Sequence, residues 1–160
     1  DERSQDRGLP LTMPRTPAKA ALLASPDDVE QQFYDALREA DIDKLMAVWA
    51  DDEEIVCVHP GGPRLVGAAA VRAAFEAVFN NGPVQVHPEN VRRVHALGAA
   101  MHSVIERVDL RTAEGPRTGW VMATNVFLKM AHGWRLVAHH ASPGSPNEPA
   151  ELIAAPSVLH

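Results

Sequence analysis

The sequence predicts an α+β domain in which three N-terminal helices pack on a highly curved antiparallel β-sheet and form a cone with an internal pocket. Three segments before residue 80 repeat apolar residues at helical spacing. After Gly82 the chain continues as long strand-like runs separated by short turns. Helices followed by a meander of antiparallel strands are typical of α+β domains. Such a sheet curls, and the mouth of the resulting cone is the natural ligand site.

The first helix has a clear start signal. Ser25 can cap it, Pro26 suits the first helical position, and the following Asp27 and Asp28 complement the positive end of the helix dipole. Its buried face is predicted to carry Val29, Phe33, Ala36, Leu37 and Ala40.

Two further helices follow from the same spacing argument. The second, short helix is predicted from apolar residues at i, i+3, i+4 and i+7, namely Ile42, Leu45, Met46 and Trp49. The third is expected over about 68–79 and ends before Gly82. Its buried residues are predicted to be Val71, Ala74, Phe75, Val78 and Phe79.

The remaining chain is predicted to be sheet. A β-branched run that begins at Glu54 predicts one strand, and prolines and glycines end it in the turn His59-Pro60-Gly61-Gly62-Pro63. Four longer strands are expected at about 84–97, 100–112, 117–130 and 133–141. Turns are expected at Gly98, at Glu114-Gly115-Pro116 and at His132-Gly133.

Composition limits the class of protein. A chain of 160 residues supports one domain with a sizeable core, here placed at 25–142, with an extended N-terminal arm at 1–24 and a proline-rich C-terminal arm at 143–160. The single cysteine, Cys57, lies in an apolar run, which indicates a buried thiol and is compatible with the cytoplasm. The net charge of −6, without a basic stripe, predicts no nucleic-acid partner. Apolar stretches are too short for a membrane span, so we expect no membrane association.

His59 is the first candidate for chemistry. It stands at the end of a strand, where its side chain can reach the pocket rim, and an imidazole titrates near neutral pH. It is therefore a candidate general base, and the alternative is a histidine hydrogen-bonded to the backbone of the turn.

Polar residues on the later strands are further candidates. Glu106 stands among apolar neighbours, where burial would raise its pKa, or else on a solvent or interface face beside Arg107 or Arg111. Asn125 shares a face with Val121, Ala123 and Phe127, so its amide contacts a ligand or satisfies a structural hydrogen bond.

His139 and His140 are adjacent on one strand and must point to opposite faces, so they cannot both bind one metal ion. Strict alternation puts His140 on the face of Trp134 and Leu136, unless a bulge shifts the register. Tyr34, Trp49 and Trp120 could supply flat pocket walls or simply pack in the core. The predicted ligand pocket comprises Tyr34, Trp49, His59, Glu106, Trp120, Asn125, His139 and His140.

Several motifs of catalytic and binding sites are missing. The sequence has no His-x-x-x-His or Cys-x-x-Cys metal spacing, no glycine-rich phosphate loop and no Gly-x-Ser-x-Gly elbow. We therefore predict neither a metal nor a cofactor.

The order of elements, the His-Pro-Gly-Gly turn and the closing segment Gly133–Ser142 together resemble the SnoaL-like branch of the nuclear-transport-factor-like superfamily. The resemblance runs from Ser25 to Ser142 and implies the cystatin-like cone fold. The last strand and the turn at 115–118 are also similar to the association (hub) domain of calmodulin-dependent protein kinase II. That relative carries pocket arginines at the positions of Asn125 and Ala141, which implies that His139 points inward here, while the neutral residues at both positions count against an anion-binding pocket like that of the hub.

The resemblance implies small-molecule binding and a homodimer formed through the outer face of the sheet. Because the superfamily contains cyclases, isomerases, dehydratases and transport adaptors, the fold does not select an activity. One hypothesis is an isomerase, cyclase or hydratase acting on an apolar carbonyl compound, with His59 as base and Asn125 or His139 polarising the oxygen. The alternative is a non-catalytic dimerisation or assembly module.

Overall fold

The computed structural model describes residues 23–154. Its element order is α1 (Pro26–Glu39), α2 (Ile42–Met46), β1 (Val56–Val58), β2 (Arg64–Val66), α3 (Ala68–Phe79), β3 (Gln85–Ala96), β4 (Ala99–Thr112), β5 (Gly115–Met130) and β6 (Gly133–Ala141). The predicted α+β fold class is confirmed. Most of the predicted N-terminal arm, residues 1–22, and residues 155–160 of the C-terminal arm lie outside the described residues.

Helix α1 begins and ends as its sequence predicts. Ser25 Oγ accepts a hydrogen bond from the backbone N–H of Asp28 at 3.1 Å, and Pro26 occupies the first helical position. At the other end Ala40 adopts a left-handed conformation with φ of 51°. Its backbone N–H bonds the carbonyls of Ala36 and Leu37, which closes the last turn.

Helix α2 is shorter than predicted, because it ends at Met46 rather than reaching Trp49. The chain beyond it pairs with β6: Leu136 N–H bonds Val48 O at 2.8 Å, and Ala50 N–H bonds Leu136 O at 2.9 Å. These extended pairings replace the helical hydrogen bonds that would continue α2.

Six strands form one open sheet in the order β2-β1-β6-β5-β4-β3. The short β2 was missed by the sequence prediction, and β1 runs parallel to β6 whereas the other neighbours are antiparallel. Two register shifts interrupt the ladder, between Glu89 and Arg92 and between Val126 and Phe127. Such bulges bend a strand and increase the local twist, as a cone requires.

The second bulge decides which histidine faces inward. Val126 is opposite Ala138 but the next residue, Phe127, is opposite Leu136, so Val137 is the extra residue. After it the alternation of β6 is reversed, and His139 is buried whereas His140 is exposed. Strict alternation from Trp134 would have given the opposite result.

The main core lies between the helices and the inner face of the sheet. It includes Phe33 and Leu37 of α1, Phe75 of α3, and Val104 and Phe127 of the sheet. Phe33 makes edge or tilted ring contacts with Tyr34, Trp49, Phe75 and His139. Among residues 23–154, none of the helices has the length and apolarity that a bilayer crossing requires.

Residues after β6 remain attached to the sheet. Ser145 and Trp120 exchange two backbone hydrogen bonds of 2.8 Å, which extends the pairing along β5. Farther on, Glu151 accepts hydrogen bonds from Asn90 at 2.7 Å and from Arg92 at 3.0 Å. The segment 142–151 therefore spans from β5 to the bulge of β3.

Candidate functional site

A cavity of about 230 Å³ lies between α1, α3 and the inner face of the sheet. Most of its lining is apolar, and the polar side chains in it are His59, Glu106 and His139. Among residues 23–154, neither lysine nor arginine contributes to this lining. The remaining lining residues are Phe33, Leu37, Pro60, Phe75, Val78, Val84, Val86, Val108, Val121 and Ala141.

Glu106 is a buried carboxyl group in this apolar cavity. It lies on the inner face of β4, is only 7% exposed, and its Oε2 accepts a hydrogen bond from Tyr34 OH at 2.7 Å. Its pKa is raised from 4.5 to about 7, because burial and, to a smaller extent, the nearby charge of Glu30 raise it more than the Tyr34 hydrogen bond lowers it. A carboxyl with such a pKa can both take and return a proton near neutral pH.

His139 lies on β6, separated from the Glu106 strand by β5, and is neutral at ordinary pH. Its Nδ1 is 2.6 Å from Asn125 Oδ1, and the ring is 5% exposed. Its pKa is lowered from 6.5 to about 3, mainly by burial and in smaller part by the charges of His59 and His140. This imidazole is a weak base and acts as a hydrogen-bonding group.

His59 follows β1 and completes the polar part of the lining. Its ring packs edge-on against Phe75 with centroids 4.7 Å apart, and burial lowers its pKa from 6.5. Its buried Nε2 has no hydrogen-bond partner among the described residues. An orphaned ring nitrogen beside an apolar cavity is available to a ligand.

A buried hydrogen-bond network outside the cavity lining contacts Glu106 and His139. Asn125 Nδ2 donates to Tyr34 OH and to Glu30 Oε2, both at 3.2 Å. Glu30 Oε2 also lies 2.8 Å from Nδ1 of the fully buried His102. Burial raises the pKa of Tyr34 well above 10.0, so its hydroxyl stays protonated and donates to Glu106.

The structure brings together five of the eight predicted pocket residues: Tyr34, His59, Glu106, Asn125 and His139. Of the two alternatives for Glu106, it shows the buried one. Tyr34 and Asn125 do not line the cavity themselves. They form hydrogen bonds with Glu106 and His139, which do.

The other three predicted pocket residues lie elsewhere. Trp49 lines a separate cavity of about 290 Å³ with Met46 and Arg72, because α2 ends before it. Trp120 is half-buried and pairs with Ser145, and His140 is exposed on the opposite face because of the bulge in β6.

Sequence reasoning missed two members of the network, Glu30 and His102. A signal for Glu30 exists, since it precedes Phe33, Tyr34 and Leu37 by three, four and seven positions and so shares their apolar face. A signal for His102 exists as well, because it alternates with Val104 and Glu106 along β4.

Cys57 lies close to this site but is chemically inert. It is fully buried on β1, directly opposite His139 in the parallel register. Burial first, and then the charge of Glu106, raises the pKa of its thiol to about 12, so no thiolate forms near neutral pH.

Solved structures with the same architecture include both enzyme-like and assembly domains. A candidate calcium/calmodulin-dependent protein kinase type II association domain from Thiobacillus denitrificans is 34% identical, with a TM-score of 0.69, and the match covers 76% of this chain and 97% of that one. A candidate dehydratase of the NTF2-like family from Streptomyces avermitilis is 27% identical, with a TM-score of 0.64, covering 72% and 91%. The hub of S. rosetta calcium/calmodulin-dependent protein kinase II is 25% identical, with a TM-score of 0.62, covering 83% and 100%. Among curated proteins, none matches this chain.

The family assignment rests on a match that covers most of the chain. Residues 27–146, from the first turn of α1 to the segment that pairs with Trp120, match the SnoaL-like domain. With the cone architecture and the solved relatives, this match shows that the chain belongs to the SnoaL-like domain family.

Proposed function

We propose that this protein binds a small, mostly apolar carbonyl compound and moves a proton on it, as an isomerase, cyclase or hydratase does. The observation that carries the proposal is Glu106, a buried carboxyl whose pKa is raised to about 7 in an otherwise apolar cavity. Proton transfer is most efficient when the pKa of the transferring group lies near the working pH. Glu106 thus takes the role of base that the sequence alone suggested for His59.

The proposed step uses three groups of this chain. Ionised Glu106 takes a proton from the carbon next to the carbonyl, and the electron pair of the broken C–H bond moves onto the carbonyl oxygen. A neutral His59 carries one N–H, which can donate to that oxygen. Tyr34 holds Oε2 of Glu106 in place at 2.7 Å, so the carboxylate does not have to reorient.

The lining supports a neutral ligand of modest size. Because no lysine or arginine of the described part of the chain reaches the lining, a phosphate or carboxylate group would lose its hydration without gaining a counter-charge there. This agrees with the neutral Asn125 and Ala141 at the positions where the hub relative carries arginines. The free, buried thiol of Cys57 supports the cytoplasm as the proposed compartment.

Deuterium exchange tests proton transfer without knowledge of the natural substrate. Cyclohexanone and cyclohexenone in D₂O should gain deuterium beside the carbonyl faster with the protein than in buffer, as measured by mass spectrometry. The exchange rate should rise with pH through about pH 7 and level off above it, because Glu106 must lose its proton to act as base. If neither ketone exchanges faster than in buffer while the protein is folded, the proposal is wrong.

Self-assembly is a second candidate function, and the outer face of the sheet favours it. Side chains there include Val94, Met101, Met122 and Leu128, of which Val94 is 61% and Met122 is 53% exposed. Val94 and Met101 are directly opposite each other in the β3–β4 register, so they form one apolar patch. An exposed apolar patch of this kind marks a protein contact surface.

We expect light scattering after gel filtration to give twice the monomer mass at micromolar concentration. Met122→Asp should shift the protein to a monomer, because a charge would be buried without a partner in the interface. Leu97→Asp is the matched control, since Leu97 lies fully exposed in the β3–β4 turn. A monomer for the unchanged protein, or equal effects of the two substitutions, would exclude this face as the contact.

A further inference from the structure

We infer that the cavity selects a ligand with a hydroxyl group, which donates its hydrogen bond to Nε2 of His139, and that Glu30 imposes this preference from outside the cavity. The inference rests on the proposed function of the cavity as a small-molecule site. It adds a substrate class, hydroxylated carbonyl compounds, and a positioning residue, Glu30.

Glu30 sets the orientation of the Asn125 amide. Its nitrogen lies 3.2 Å from Glu30 Oε2 and 3.2 Å from Tyr34 OH. Glu30 Oε2 is a carboxylate oxygen that also faces His102 Nδ1 at 2.8 Å, so it accepts from both neighbours. The Glu30 contact alone therefore requires the NH₂ end of Asn125 on this side, whatever the protonation of Glu106.

The Asn125 amide in turn determines which ring nitrogen of His139 carries the proton. With its nitrogen turned toward Glu30, Asn125 presents Oδ1 to His139 Nδ1 at 2.6 Å. An amide oxygen only accepts, so Nδ1 must carry the proton. The low pKa of about 3 keeps the ring neutral, so the other nitrogen, Nε2, is a bare lone pair.

The lone pair on Nε2 of His139 favours a ligand that donates a hydrogen bond. His139 lines the cavity, and its Nε2 has no hydrogen-bond partner among residues 23–154. A ketone or ether oxygen placed there would be repelled, whereas an O–H would complete the hydrogen bond. Free Oε1 of Glu106, which also lacks a partner in the described part of the chain, adds a second acceptor when ionised. While Glu106 is protonated, a hydroxyl fits better than an ammonium ion, because the lining then offers no counter-charge and burying an unpaired charge is costly.

Two measurements on the full chain test the inference directly. In ¹⁵N-histidine-labelled protein, long-range ¹H–¹⁵N spectra should show His139 protonated at Nδ1 and unprotonated at Nε2. In ligand titrations, cyclohexanol should bind about 10- to 100-fold more tightly than its methyl ether, because the ether leaves the lone pair unmatched. The inference is overturned by a proton on Nε2, by equal affinity for alcohol and ether, or, well below pH 7 where Glu106 is protonated, by cyclohexylamine binding as tightly as cyclohexanol.

Glu30→Gln tests the positioning role. A glutamine can offer either its oxygen or its nitrogen to Asn125, so the amide is free to turn and His139 should show a second tautomer. The preference for alcohol over ether should then fall at least about threefold, within the range of one weakened hydrogen bond. Glu148→Gln, an exposed change of the same type, should leave both readings unchanged.

If Glu30→Gln does not fold, the tautomer and the alcohol preference of the unchanged protein still decide the ligand class. The His139 tautomer and the ligand affinities are measured without turnover. If ketone exchange is absent but His139 is protonated at Nδ1 and alcohol is preferred over ether, only the proton-transfer function is rejected. Ketone exchange with the opposite tautomer would reject only the inference.

Discussion

Glu106→Gln should reduce the catalysed deuterium exchange of a ketone by about 10²- to 10⁴-fold, the usual contribution of a general base. The glutamine has nearly the same shape, and its carbonyl oxygen can still accept the hydrogen bond from Tyr34. It cannot take a proton from carbon. The substitution therefore removes the proposed chemistry while preserving the contact that holds this side chain in the cavity.

Two variants make this prediction specific. Glu148→Gln should retain the full exchange rate, because Glu148 is exposed and distant from the cavity lining. Glu106→Asp keeps a carboxylate but withdraws it by one methylene, so it should retain part of the rate. If Glu106→Gln instead exchanges as fast as the unchanged protein, Glu106 is not the base, and His59 becomes the group to substitute.

Ionisation of Glu106 should also make the folded protein less stable as the pH rises from about 4.5 to about 7. The carboxyl has a pKa of 4.5 in the unfolded chain and about 7 in the folded one. Between these values the folded state holds the proton more firmly, so the unfolding free energy falls as the pH rises. The full difference between the two pKa values corresponds to about 3 kcal/mol.

Urea unfolding of the unchanged protein and of Glu106→Gln across this pH range isolates the effect. His139 acts in the opposite direction, because its lowered pKa stabilises the folded state as the pH rises from about 3 to 6.5. This contribution is shared by both proteins and cancels in their difference. We expect that difference to be flat below about pH 4.5 and to change by about 3 kcal/mol by about pH 7. A constant difference across the range would contradict the raised pKa.

Most helices and long strands could be predicted because their signals are local. Ser25 and Pro26 mark the start of α1, and the long strands are separated by turns at positions that require glycine, such as Gly98 with φ of 81°. The short β2 and the parallel pairing of β1 with β6 carry no comparable local signal. They depend on contacts between segments that are far apart in the sequence.

Part of the site could be predicted for the same reason and part could not. Glu106 and Asn125 interrupt apolar faces, and such interruptions are visible in the alternation of a strand. The choice between His139 and His140 depends on one extra residue at Val137, which alternation cannot reveal. The link from Glu30 through Asn125 to His139 joins three elements, and only the folded chain shows that they meet.

The parallel pairing of β1 with β6 has a consequence for how the protein matures. It joins Cys57 to His139, residues separated by half the length of the chain. Contacts of such long sequence separation slow the folding of a domain. During synthesis, nearly the whole domain must therefore leave the ribosome before His59 and His139 can line the same cavity.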